Sequence, residues 1–357
     1  MTILLVRLRL IGDVVFTTPV IGALRRRYPE ARLLYLVEEH AAPVVADNPH
    51  LSRVITVPYR RGWRRIADDL ALARMLRRES IDMVIDLHGG PRSALLTWMT
   101  RAPVRVGYDV PGRSWMYTRI VHRARTYQPR HAVVNQWDLL GAVDPTLADP
   151  PDPARDRVEM QVPPAASAEL DRMLAGWNVP AGARLAIMHV SAGNPFRRWP
   201  EASFAEVAAA LAHGDDPTVV LVTAGPSDRA AVGRVVAAAQ SAAGANGRYV
   251  VDAEGLSLGL LRAACDRAAL FIGGDSGPVH VAATSDVPIV TIYGPTLPER
   301  SAPWRPAAIP SASAEAGPLP CRPCDQRVCA PGDFRCLSLV APAQVIAAAR
   351  HLLEGGR

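Results

Sequence analysis

The sequence predicts an α/β protein of two doubly wound domains, each a parallel sheet covered by helices, facing each other across a cleft. Three observations predict it. Short β-branched or leucine-rich runs alternate with helical patterns from the first residue. The alternation stops at a proline-rich stretch and then restarts, as it does between domains. Nearly every unusual cluster of Gly, Asp, Ser and Arg falls just after a strand, where open parallel sheets bind ligands. At 357 residues, 49% hydrophobic and 21% charged, the chain is long enough for two domains with separate cores.

In the first half, strands are expected at 3–8, 33–37, 54–57, 83–87 and 104–107, with helices near 14–28, 66–79, 93–100 and 132–140. The stretch "DPTLADPPDPARDRVEMQVPP", 144–164, follows. Its prolines can continue neither a helix nor a central strand, which makes it the expected linker between an N-terminal domain, 1–150, and a C-terminal domain, 165–340. In the second half, strands are expected at 185–190, 218–222, 249–251, 270–272 and 289–292. Helices are expected near 201–213, 228–239, 257–267 and 278–284, with a last one at 341–357.

Forty Lys+Arg against 34 Asp+Glu give a net charge of +6, carried by arginine. That suits phosphate-bearing or membrane-surface partners, and equally an arginine-rich genome. No run of about 20 uncharged apolar residues occurs, and Arg7, Arg9 and Asp13 interrupt the first apolar segment, so neither a spanning helix nor a cleavable signal is expected. The expected location is cytoplasmic, with or without peripheral attachment to the inner face of the cytoplasmic membrane.

Three loops carry the chemistry. After the first strand, Gly12 and Asp13 open a helix. An Asp there suits a helix N-cap, and a carboxylate at a strand's carboxyl end equally suits a general base. After the first strand of the second half comes "HVSAGNPFRRWPEASF", 189–204, where Ser191, Gly193 and Asn194 form a polar turn and Arg197 and Arg198 bring cations. Small residues and cations before a helix are what a pyrophosphate needs. Later, "GGDSGPVHVAA", 273–283, places Asp275, Ser276 and Gly277 in a turn and His280 on the next helix. Ser276 and Gly277 can offer backbone N–H groups to a phosphate, with Asp275 orienting them or the ligand.

Taken together, "GDVVFTTPVIGALRRRYP", "RRWPEASF" and "GGDSGPVHVAA" resemble glycosyltransferase family 9, the lipopolysaccharide heptosyltransferases, and "IDMVIDLHGGPRSALL", 81–96, echoes a strand of that family. The resemblance runs from about residue 3 to 345. It implies a GT-B fold and inverting transfer of a heptose from ADP-heptose, or a similar nucleotide sugar, to an inner-core lipopolysaccharide acceptor at the membrane surface. No cofactor is implied for catalysis. By the same resemblance the catalytic base falls on Asp13. The donor-binding positions fall on Ser191, Gly193, Asn194, Arg197, Asp275, Ser276, Gly277 and His280, with Arg197 standing where the family has a lysine. The basic run "YRRGWRR", with Arg60, Arg61, Arg64 and Arg65, resembles the segment that grips the acidic acceptor, and also reads as a solvated helix start.

Four of the five cysteines, Cys321, Cys324, Cys329 and Cys336, lie in "CRPCDQRVCAPGDFRC". Structural zinc, free thiols and disulfides are all open readings of that spacing, which matches no standard ribbon or finger. Two other functions can be weighed. A dinucleotide-dependent oxidoreductase would need a G-x-G-x-x-G after the first strand, and there is none. A nucleic-acid-binding protein would interleave its basic residues with aromatics or show a recognisable module, so no nucleic-acid partner is expected.

Overall fold

The computed structural model describes residues 1–58, 60, 62–122, 129–213 and 217–355, without the side chains of Trp63, Arg64 and Ser227. Its contacts separate two units, Met1–Gln161 and Val162–Arg357.

In the first unit the strands are β1 (Thr2–Val6), β2 (Arg32–Glu38), β3 (Arg53–Val57), β4 (Met83–Asp86), β5 (Val104–Tyr108) and β6 (Arg119–Val121). The helices are α1 (Ile11–Val15), α2 (Thr18–Arg27), α3 (Trp63–Arg78), α4 (Pro91–Met99) and α5 (Ala132–Val143). Every strand pair is parallel, in the order β3-β2-β1-β4-β5-β6. Leu4, Val6, Leu36 and Val84 sit in its core. Strands covered on both faces must be apolar on both, which is why β1 reads as a continuous aliphatic run.

The second unit opens on α6 (Ala166–Gly176) and builds its sheet from β7 (Leu185–His189), β8 (Val219–Thr223), β9 (Val250–Asp252), β10 (Leu270–Gly274), β11 (Ile289–Tyr293) and β12 (Ser311–Glu315). Its further helices are α7 (Glu201–Ala212), α8 (Arg229–Ala243), α9 (Leu258–Arg267), α10 (Gly277–Ala282), α11 (Pro298–Ser301), α12 (Arg335–Ser338) and α13 (Pro342–Gly355). All pairings are again parallel. Counted from β7, the order β12-β11-β10-β7-β8-β9 is the first sheet's order read from the other edge. Each unit therefore reverses direction once, between β1 and β4 in the first and between β7 and β10 in the second. At such a switch point the loops leaving two neighbouring strands diverge and open a crevice at their carboxyl ends.

The structure departs from the sequence expectations in a few elements. The expected helix 14–28 is two helices, because Pro19 near the start of α2 has no N–H to donate back to α1. Thr17 ends α1 instead, its hydroxyl donating to the Val14 carbonyl at 2.7 Å. The strands β6 and β12 escape sequence reading since both lack an apolar run: their burial patterns are largely exposed, and each lies at a sheet edge. Helix α6 was likewise not anticipated. Much of the proline-rich stretch packs on the first unit. Asp144 pairs with Arg27 at 2.7 Å, Asp156 pairs with Arg26, and the Glu159 N–H donates to the Thr18 hydroxyl at 2.8 Å.

Candidate active site

At the switch point of the first unit, the loop after β1 turns into α1 and places Asp13 in its first turn. The N-cap is Leu10, so Asp13 is not the cap. Its carboxylate instead reaches back to accept the Leu10 N–H at 3.3 Å. The same Oδ2 meets the Arg7 guanidinium at 2.7 Å, and the two side chains differ sharply in exposure, 37% for Asp13 against 11% for Arg7. Arg7 also donates to the Leu87 carbonyl at 2.6 Å, so a sealed cation holds one oxygen of a carboxylate that solvent and ligands can reach.

The neighbouring strand β4 ends in Asp86, fully buried. Its oxygens accept from the His88 and Gly89 N–H groups at 2.9 and 3.0 Å, from Ser93 at 2.9 Å and from Tyr117 at 2.6 Å. This knot fixes the loop that carries His88. Burial, reinforced by the Arg7 charge, lowers the His88 imidazole to about 4, so it is neutral at neutral pH. Behind the loop, Arg92 bridges Glu38 at 3.0 Å and Asp69 at 2.8 Å. Gly107 is required here: the Tyr117 ring lies 2.4 Å from where a β-carbon would stand.

At the switch point of the second unit, β7 leads to Arg197 and β10 to Asp275. Arg197 Nη1 donates to the Asp275 carbonyl and to its carboxylate, both at 3.1 Å. Its Nε donates to Gln326 at 2.8 Å. The acid is sealed while the guanidinium stays 30% exposed. Thr296 donates to the same carboxylate, and His280 stands 3.6 Å from its other oxygen. Burial alone would push the Asp275 carboxyl up, but His280, Arg197 and Thr296 outweigh it and hold the group at about 2. Gly274 lets the two loops meet, since a β-carbon there would come within 3.1 Å of the Arg197 carbonyl.

Of the expected donor residues, Arg197, Asp275 and His280 come together, with Ser276 and Gly277 opening α10 beside them. The Ser276 hydroxyl is buried and makes no hydrogen bond in the structure. Asn194 shares Gln326 with Arg197, at 2.8 Å. Ser191 is buried and its hydroxyl is engaged, accepting the Gly225 N–H at 2.9 Å and lying 3.1 Å from His189. Burial lowers His189 to about 4. Gly193 is exposed on the same loop.

Of the basic run, Arg61 lies outside the described residues, and the Arg64 side chain does too. Arg60 pairs with Asp68 at 3.5 Å and Arg65 with Asp69 at 4.0 Å. The cysteines are all free thiols. Among the described residues no group of three or more His, Cys, Asp or Glu is placed to hold a metal ion, so the zinc reading of the cysteine stretch has no assembled site. Three residues escaped sequence reasoning. Arg7 could have been found as a cation closing an aliphatic strand, and His88 lies in a stretch whose family echo is visible. Gln326 gave no signal, because its loop drew attention only for its thiols.

Comparison with known proteins fits this geometry. Residues 70–330 match the family model for glycosyltransferase family 9 (heptosyltransferase). The chain is 28% identical over 352 residues to lipopolysaccharide heptosyltransferase 3 of Escherichia coli, covering 97% of each chain. Among solved structures, a family 9 glycosyl transferase from Veillonella parvula superposes with a TM-score of 0.81 at 25% identity, over 99% of this chain and 97% of that one. The E. coli heptosyltransferase WaaC solved with ADP gives a TM-score of 0.68 at 22% identity, over 99% of this chain and 100% of that one.

Proposed function

This chain belongs to glycosyltransferase family 9, with its GT-B fold, and from that premise we propose that it moves a heptose from ADP-heptose to an inner-core lipopolysaccharide acceptor. One observation supports the reading above others. Two sheets of the same strand order end, at their switch points, in opposite charges: an accessible carboxylate in the first unit and a partly open arginine in the second.

Glycosyl transfer with inversion uses both. Asp13 takes the proton of the acceptor hydroxyl as that oxygen bonds to the anomeric carbon. The bond from that carbon to the diphosphate breaks, and ADP leaves with the electron pair. Arg197 offsets the charge gathering on the leaving group, as a positioned cation does for transferring phosphates. Its own orientation is set beforehand by Asp275 and Gln326, so little reorganisation is needed. No metal is needed in this scheme. Arg60 and Arg65, the described arginines of the basic run with side chains in place, are the proposed grip on the acidic acceptor.

The test is transfer from ADP-heptose to a heptose-free inner-core acceptor, with the product's anomeric configuration read by NMR. An inverted linkage and one ADP per transfer are expected. Retention of configuration, or transfer only from another nucleotide sugar, would overturn the reading.

A further inference from the structure

Helices α3 and α4 follow β3 and β4, so both begin at the sheet edge that carries Asp13. Between Arg65 and Arg78, the residues that α3 exposes are apolar or arginine, and its most exposed carboxylate is Asp68, whose side chain is 37% exposed. The carboxylates of this helix and of its C-cap, Glu79, are each paired with an arginine. Asp68 pairs with Arg60 at 3.5 Å, Asp69 with Arg92 at 2.8 Å, and Glu79 with Arg53 at 2.7 Å. On α4 the exposed side chains are Pro91, Leu95 and Trp98, all apolar.

The exposed apolar groups are large and lie on elements that pack together. Ile66 is 59% exposed, Leu70 42%, Leu95 40%, Trp98 43% and Trp115 62%. Trp98 and Trp115 meet edge to face with ring centroids 5.6 Å apart, which joins α4 to the turn after β5. On the other side, Ile66, Leu70 and Arg77 share one stripe of α3 by helical spacing, and Arg77 donates to the Met99 carbonyl of α4 at 2.7 Å. The Arg77 end of the stripe therefore lies beside the end of α4. A globular surface seldom leaves five large apolar side chains exposed on adjoining elements without a partner for them.

We propose that this face of α3, α4 and the Trp115 turn docks on an anionic lipid surface. Its chemistry selects that occupant. Tryptophans sit at the headgroup level of bilayers because their rings are apolar with one polar edge. Arginines around an apolar patch add attraction to anionic headgroups, and the carboxylates of α3, which would repel them, are paired with arginines, Asp68 (37% exposed) with Arg60 and Asp69 with Arg92. No described helix is long and apolar enough to cross a membrane, so the contact is with the surface. The purpose of docking rests on the lipid-borne acceptor proposed above, for the face borders the sheet edge where Asp13 would meet it.

The experiment is co-flotation of the full chain with phosphatidylcholine vesicles, with and without phosphatidylglycerol. The expected result is binding to the anionic vesicles only, weakened by salt. Arg74→Glu with Arg78→Glu should lower that binding at least about tenfold. Trp98→Ser with Trp115→Ser should also lower it, and Leu70→Glu, at a partly exposed position, serves as a single change should the double variant unfold. ADP affinity by calorimetry should be unchanged in all of them. Failure of the wild type to float, or flotation of every variant like the wild type, would overturn the proposal. So would a wild-type dimer that the tryptophan changes convert to monomer, since the face would then join copies of this chain. Flotation by a chain that takes no ADP-heptose would remove the transferase reading and leave the surface standing.

Discussion

Replacing Asp13 by Asn changes one atom and one charge, and the structure separates what each contributes. The Leu10 N–H can still be accepted by the amide oxygen, so the turn into α1 is kept. What is lost is the charge opposite Arg7, at 2.7 Å. Arg7 retains the Leu87 carbonyl, and Asp13 is more than a third exposed, so solvent screening limits the stability cost to about 1 kcal/mol. That corresponds to a fall in Tm of roughly 2–4 °C for a unit of this size. ADP affinity should not move, because every group assigned to the diphosphate lies in the other unit. Turnover should fall far more than stability: loss of a general base costs roughly 10²- to 10⁴-fold in kcat. The assay is ADP release at saturating donor and acceptor, beside a thermal melt and calorimetry with ADP. Turnover within about threefold of wild type, with the Tm drop present, would refute the base assignment and leave Asp13 as the anchor of a turn.

Other expectations follow from the same geometry. Arg197→Ala should weaken ADP binding by about 1.5–3 kcal/mol, the scale of a charge-assisted hydrogen bond, and unchanged affinity by calorimetry would remove it from the donor site. Arg197→Lys should recover only part, since one ammonium cannot reach Asp275 and Gln326 as the fork does. Reversing Arg60 and Arg65 to Glu should raise the acceptor KM and spare ADP-heptose affinity; identical kinetics would mark them as a solvated face. Under native alkylation Cys265, whose thiol burial pushes up to about 12, should react last, after Cys321, Cys324 and Cys329. Protection of those three by bound zinc would overturn that order. His88 and His189 are held neutral in the fold at about 4 against an ordinary 6.5, so the unfolded chain binds more protons between those values. Stability should accordingly fall as pH drops from about 6.5 to 4, and His189→Gln should flatten the fall in melts taken across that range.

Much of the scaffold was legible because parallel strands covered on both faces leave a strong mark. Runs such as "TILLV" and "LAIMH" must be apolar at consecutive positions, and their alternation with helices allows few other folds. Edge strands leave no such mark. "SASAE" in β12 is small and polar because one side of it meets solvent, and only its pairing with β11 makes it a strand. The Gly-Gly-Asp-Ser-Gly turn was legible for a related reason: backbone crowding at a switch point demands glycine, as the Arg197 carbonyl against Gly274 shows.

The rest of the candidate site was hidden because it is made by side chains brought together from far apart in the chain. Arg197 reads in sequence as one of two adjacent arginines, and nothing local says which faces the site. The fold decides. Arg198 turns to Asp228 at 3.0 Å, whereas Arg197 turns to Asp275, 78 positions away, and to Gln326, 129 away. The Gln326 backbone takes a left-handed φ of 60°, with its N–H on the Cys324 sulfur at 3.3 Å. A residue other than glycine rarely holds that conformation, and the amide oxygen of this one is shared by Arg197 and Asn194. The cysteine stretch, read from spacing as a metal question, thus enters the site through its glutamine. Sequence spacing could not show this, since the bond that matters joins the loop after β7 to a segment that follows β12, 129 positions on, and exists only once the second sheet has assembled.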